Sequence, residues 1–175
     1  MKPRECRLRL VAILVAAHAG EQAAALAYAG HWRSSRGEER ERIRSIEEDE
    51  WRHRAVVARL LASLGAAPSP LRELRSLAVG RALGALCRFA GWLAPMYAAG
   101  RLERANVCAY DEAACLAEGC GHRELAPELR EMAAVERDHE VYFRAKVLAH
   151  PLSRLLRPWR PLPSPEAFRA GVRCP

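Results

Sequence analysis

Much of what this chain could be is ruled out by what it lacks. Its six cysteines, Cys6, Cys87, Cys108, Cys115, Cys120 and Cys174, contain no Cys-x-x-Cys pair, so a self-contained rubredoxin-type iron module is missing. Aromatic residues make up only 6 % of the chain, and no alternating β-branched runs occur, which argues against strands and for helix almost throughout. The basic residues are scattered over the helices and tail with no nucleic-acid-binding motif, so no specific nucleic-acid partner is expected. Residues 71–93 are apolar but carry Arg72, Arg75, Arg81 and Arg88, too much charge to span a bilayer.

What is present is alanine, leucine, arginine and glutamate. With 175 residues, half of them apolar, the chain supports one domain with a true core. The formal charge of +7 and pI near 9.5 make an anionic lipid surface a partner to consider. Several cysteines occupy apolar helix positions where a free thiol packs as a small hydrophobe, so a reducing, cytoplasmic setting is the simpler expectation. Basic residues 2–9, the apolar run 10–17 and the small residues Ala17 and Ala19 imitate a secretory signal. Against that, the helical pattern continues through the would-be cleavage point.

Periodicity and breakers predict helices over residues 4–31, 38–64, 71–93, 96–118 and 126–150. Gly37, Gly65, the Pro68/Pro70 pair, Pro95, Gly119 and Gly121 punctuate them. Short turns join the first two and the last two helices, whereas a long connection containing the extra apolar helix links the pairs. That single crossover is the connectivity of a ferritin-like four-helix bundle, expected over residues 1–150. The tail, 151–175, holds Pro158, Pro161, Pro163 and Pro165 and cannot be a continuous helix; an extended strap or a disordered end is expected.

One constellation occurs twice. Glu21 is followed seven residues on by Tyr28 and then by Glu50-x-x-His53; Glu103 is followed seven residues on by Tyr110 and then by Glu136-x-x-His139. The glutamate spacings are 50 − 21 = 29 and 136 − 103 = 33. Residues three apart share a helix face, so each Glu-x-x-His sets a carboxylate beside an imidazole, and the antiparallel partner helix adds a second carboxylate. Two such halves supply four carboxylates and two histidines, the ligand set of a di-iron carboxylate site, and hard oxygen donors with one imidazole per metal suit iron or manganese. Reduced iron in such a site can activate dioxygen. A single Glu-x-x-His would be weak evidence on glutamate-rich helices; the doubled pattern is what carries weight. Glu112 and Glu118 share the helix of Glu103, and Glu112, flanked by small residues, is an alternative ligand. Tyr28 and Tyr110 are expected in the core, and His18 at a helix interface.

At His18-Ala-Gly-Glu21 and Tyr28-Ala-Gly30 the sequence resembles the demethoxyubiquinone hydroxylase family, ferritin-like di-iron monooxygenases of ubiquinone biosynthesis. Glu50-x-x-His53, the Gly80-x-Ala-Leu-Gly84 stretch, Glu103 with Tyr110, and Glu136-x-x-His139 extend the likeness over residues 10–142. The resemblance implies two iron ions, dioxygen, an electron donor and a lipophilic quinol-type substrate. It also makes residues 71–93 a membrane-facing element, placing the protein peripherally on the inner face of the cell membrane. Two other readings remain at this level: a ferritin-like iron-oxidising or peroxide-consuming protein without an organic substrate, and a metal-free helical scaffold binding nucleic acid through its arginines. A homodimer is compatible with all three.

Overall fold

A computed structural model describes residues 3–156 and 158–175. Residues 1 and 2, where the signal-like basic segment begins, lie outside the described residues. The fold is all-α and ferritin-like, with no strand among the described residues. The helices are α1 (Pro3–Ser34), α2 (Gly37–Ser63), α3 (Pro70–Leu86), α4 (Leu93–Gly119), α5 (Ala126–Ala149) and the short α6 (Pro165–Arg169).

All but one of the boundaries fall within three residues of those expected, and the exception has a local cause. Helix α3 ends at Leu86, ahead of the expected 93, and the chain turns through Gly91 at φ +72 before α4 begins. Pro95 lies inside the first turn of α4, where its missing N–H has no intrahelical partner to lose. Gly65 and Gly121, at φ +62 and +86, close α2 and α4 with the left-handed residue that favours glycine.

The chain forms two compact units, Val11–Gly91 and Met1–Leu10 with Trp92–Pro175. In Val11–Gly91, α1 and α2 run antiparallel across the turn at residues 35–36, with Trp32 Nε1 bonded to Glu47 near one end and Arg54 bonded to the His18 carbonyl towards the other. Helix α3 runs alongside α1 in the same direction, and its buried face consists of Ser76, Gly80 and Gly84. A Cβ on Gly84 would come within 2.6 Å of the Leu26 carbonyl oxygen, and one on Gly80 within 2.8 Å of the Ala23 backbone. Small residues therefore let the two backbones touch, and the large apolar residues of α3 point elsewhere: Leu71, Leu74, Val79, Leu83 and Leu86 are exposed.

In the other unit, α4 and α5 are antiparallel, as the Glu118–Arg130 pair and the proximity of Glu103 to Glu136 show. The proline-rich tail is the strap that was one of the two expectations. It runs antiparallel to α5, bonded along its length by Arg144 to the Trp159 carbonyl (3.2 Å), Arg137 to the Leu162 and Pro163 carbonyls (2.9 and 2.7 Å), and Arg169 to Glu131. Trp159, Leu162 and Phe168 are buried. Gly100 makes room for Trp159: a Cβ there would lie 2.4 Å from the indole.

The cysteines correct the expectation of free packed thiols. Cys6 is bonded to Cys120, and Cys108 to Cys174, while Cys87 and Cys115 are free. Both disulfides belong to the unit that contains the strap, one tying the start of α1 to the end of α4 and the other the strap to α4. Helix α1 is long and apolar enough to cross a membrane by length and composition. It is also a helix with buried Leu10, Leu14, Ala24, Ala25 and Tyr28 along one side.

Candidate metal centre

Each helix pair buries a stripe at three- and four-residue steps, and each stripe is interrupted by acid. On α2 the buried positions run Ile43, Ile46, Glu50, His53, Val57 and Leu60. On α5 they run Leu129, Met132, Glu136, His139, Phe143 and Val147. Glu50 and His53 therefore occupy places where the helical period calls for a hydrophobe, as do Glu136 and His139. Glu21 on α1 and Glu103 on α4 do the same, and all four glutamates are at most 2 % exposed. Burying ionised carboxylates in an apolar stripe costs several kcal/mol each unless cations and hydrogen bonds compensate them.

Within Val11–Gly91, Glu21, Glu50 and His53 each offer a ligand atom, and these atoms lie within 4.8 Å of one another. In the other unit, the same is true of Glu103, Glu136 and His139. The expected residues are thus brought together as two triplets, each with two carboxylates and one imidazole. Oxygen-rich donors with a single nitrogen and no thiolate fit iron or manganese. Glu103 is fully buried, whereas Glu112 lies half exposed with an oxygen 2.5 Å from Arg9, and Glu118 is paired with Arg130, so neither alternative on α4 shares this placement. Tyr28 and Tyr110 are core residues as expected.

The surroundings of the triplets hold residues that motif reading passed over. Arg54, next to His53 in the chain, donates to the His18 carbonyl (2.9 Å) and pairs with Glu73 on α3 (2.6 Å), and Glu73 also meets His18 Nδ1 at 2.8 Å. Burial alone would raise the Glu73 carboxyl, but the His18 and Arg54 hydrogen bonds outweigh it and hold that group below the usual carboxylate range. His18 is thereby an interface residue, one turn before Glu21. In the second unit, Asn106 lies three residues after Glu103, and its amide reaches Glu136 at 3.5 Å. Glu140, fully buried beside His139, is held by Arg137 and by the indole N–H of Trp159 on the strap. The spacing Glu103-x-x-Asn106 was the one available signal for Asn106; Glu140 and Trp159, 19 residues apart across a proline-rich segment, left none.

The fold and donor set define a ferritin-like helical protein able to hold metal. The chain belongs to the family of ubiquinone biosynthesis protein COQ7, whose model matches residues 9–107, and its role lies in ubiquinone biosynthesis. That match includes Glu21, Glu50, His53 and Glu103; Glu136 and His139 fall beyond it and rest on the internal repeat and on the geometry of α4 and α5. Comparison with curated proteins and with solved structures returns no match.

Proposed function

We propose that the two triplets hold two iron ions and that the protein is an oxygen-dependent monooxygenase, hydroxylating the ring of a lipophilic quinol-type precursor of ubiquinone. The observation carrying this reading is the pair of buried carboxylate–carboxylate–imidazole triplets on apolar stripes, in a chain of the COQ7 family. Four buried carboxylates need cationic charge, and two divalent ions would supply it. When bound and reduced, such ions supply dioxygen activation: one oxygen atom enters a ring C–H bond as C–OH, and the other leaves as water with two electrons and two protons from a donor. The protein's own contribution is placement. Glu50 and His53 are locked in phase by one turn of α2, Glu136 and His139 by one turn of α5, and Asn106 steadies a Glu136 oxygen.

Helix α3 is the membrane-facing element in this reading. Its outward Leu71, Leu74, Val79, Leu83 and Leu86 are interleaved with Arg72, Arg75 and Arg81, the pattern of a helix lying in the lipid interface, and Phe89, just beyond it, is 84 % exposed. A protein attached there would stand beside the membrane-soluble precursor.

The test is complementation of a strain lacking its demethoxyubiquinone hydroxylase, with quinone profiling. Conversion of the accumulated precursor is expected, and Glu50→Ala and Glu136→Ala should each abolish it. Folded, iron-loaded protein that leaves the precursor untouched would reject this substrate.

A further inference from the structure

Alongside α1 and α3, within Val11–Gly91, lies a cavity of about 580 Å³ that the metal-centre reading does not use. Its size is that of a small-molecule site. Ala19, Gly20 and Ala23 of α1 line it together with Leu71 and Val79 of α3, and so do Arg72 and Arg75. The contact between the helices is closest further along, where Gly80 meets Ala23 and Gly84 meets Leu26 and Gly30; towards the start of α3, glycine gives way to leucine and arginine.

The charge of the cavity is unbalanced. Arg72 and Arg75 are exposed, three residues apart on one helix, and neither pairs with a carboxylate among the described residues. Glu73 is the sole acid on α3 and is already engaged by His18 and Arg54. Two uncommitted guanidinium groups at this spacing can share one phosphate, and the apolar residues around them suit a hydrocarbon chain rather than a second charge. Leu71 and Val79 connect the cavity to the apolar surface of α3.

We propose that this cavity binds a membrane phospholipid, its phosphate held by Arg72 and Arg75 and the upper part of one acyl chain lying against Ala19, Gly20, Ala23, Leu71 and Val79. The proposal rests on the reading of α3 as membrane-facing and deepens it: the surface would select for a bound anionic lipid instead of adhering to any apolar phase. Gly20 offers a clean probe. A Cβ there meets nothing within 4 Å, so a leucine would enter the cavity without displacing the fold and would favour the helix.

The experiment uses the full iron-loaded chain and a short-chain phosphatidylglycerol kept below its micelle concentration, followed by calorimetry. Saturable one-to-one binding is expected, weakened about tenfold or more by Gly20→Leu and by the double variant R72Q/R75Q. Arg81→Gln, the same charge change on α3 outside the cavity, should leave it within about twofold. Inorganic phosphate and a short-chain diacylglycerol should each bind at least tenfold more weakly, since each offers only half of the ligand. No binding of the short-chain lipid, equal binding by Gly20→Leu with unchanged helicity, or equal loss with Arg81→Gln would each overturn the proposal. Vesicle sedimentation separates the two readings: if every variant still binds phosphatidylglycerol vesicles while the soluble lipid does not bind, the membrane face stands and the cavity site falls. If the wild type ignores vesicles at low salt, the membrane-facing reading falls with it.

Discussion

In Val11–Gly91 the triplet-bearing helices are backed by α3, through a stripe of small residues and an ion-paired trio, His18, Glu73 and Arg54. In the unit built on α4 and α5 the same three ligand types are backed by a strap without regular structure for most of its length, fastened by arginine side chains to its carbonyls and by Cys108–Cys174. The ligand geometry is alike although the support is not. A carboxylate–imidazole pair at i and i+3 on one helix and a carboxylate on its neighbour define the triplet, and anything that fixes the two helices in register will serve behind them. Equivalence of the triplets with inequality of their supports makes three experiments informative.

The largest effect should come from the ligands. Glu50→Ala and Glu136→Ala, one from each triplet, should both reduce iron from two per chain to one or none by metal analysis, while Glu112→Ala keeps two. Retention of both irons by either ligand variant would break the equivalence, and loss in Glu112→Ala would move the α4 ligand away from Glu103.

Next in size is reduction of the disulfides, which touches one unit alone. Each bridge closes a long loop, and removing one should cost about 2–4 kcal/mol. Hydrogen exchange under reductant should speed up in α4, α5 and the strap and stay nearly constant in α2 and α3. Thiol titration of unfolded, unreduced protein should count two free cysteines, Cys87 and Cys115; a count of six would remove the bridges from the comparison.

Acid probes the opposite unit. Burial pushes the His31 imidazole down from 6.5 to about 4, with the nearby Glu39 charge opposing weakly. Its folded form takes up a proton less readily than its unfolded form, so its contribution is complete above about pH 6.5 and fades as pH falls towards 4. The loss at pH 5 should be about 2 kcal/mol by urea unfolding, and His31→Leu should flatten that slope. An unchanged slope in the variant would assign the acid sensitivity elsewhere.

The two buried triplets were legible because they obey a local rule twice over, and because glutamate at a buried helical position is a mismatch that a sequence displays openly. The helix pairs were legible from turns and periodicity for the same reason. Three features were not. Cys6 and Cys120 are 114 residues apart, and Cys108 and Cys174 are 66 apart, so no spacing motif could join them. Trp159 fits beside Gly100, a contact that depends on a missing side chain far away in the sequence. Helix α3 has apolar residues on both faces, and periodicity could not tell that Ser76, Gly80 and Gly84 turn inward while its leucines turn out. There the close backbone approach to α1 chose the face, where side-chain hydrophobicity alone would have chosen the other.

The Cys6–Cys120 bridge also has a history in time. A chain leaves the ribosome at about 5–20 residues per second, so Cys6 waits roughly 6–23 s for its partner to be made. In that interval all of Val11–Gly91 emerges, with Glu21, Glu50 and His53 and the α3 segment that supports them. Cys6 is therefore joined to a segment made only after the whole of Val11–Gly91. Oxidation that comes too soon would find Cys87 or Cys108 first, making the schedule of synthesis, as much as the final fold, a determinant of which thiols pair.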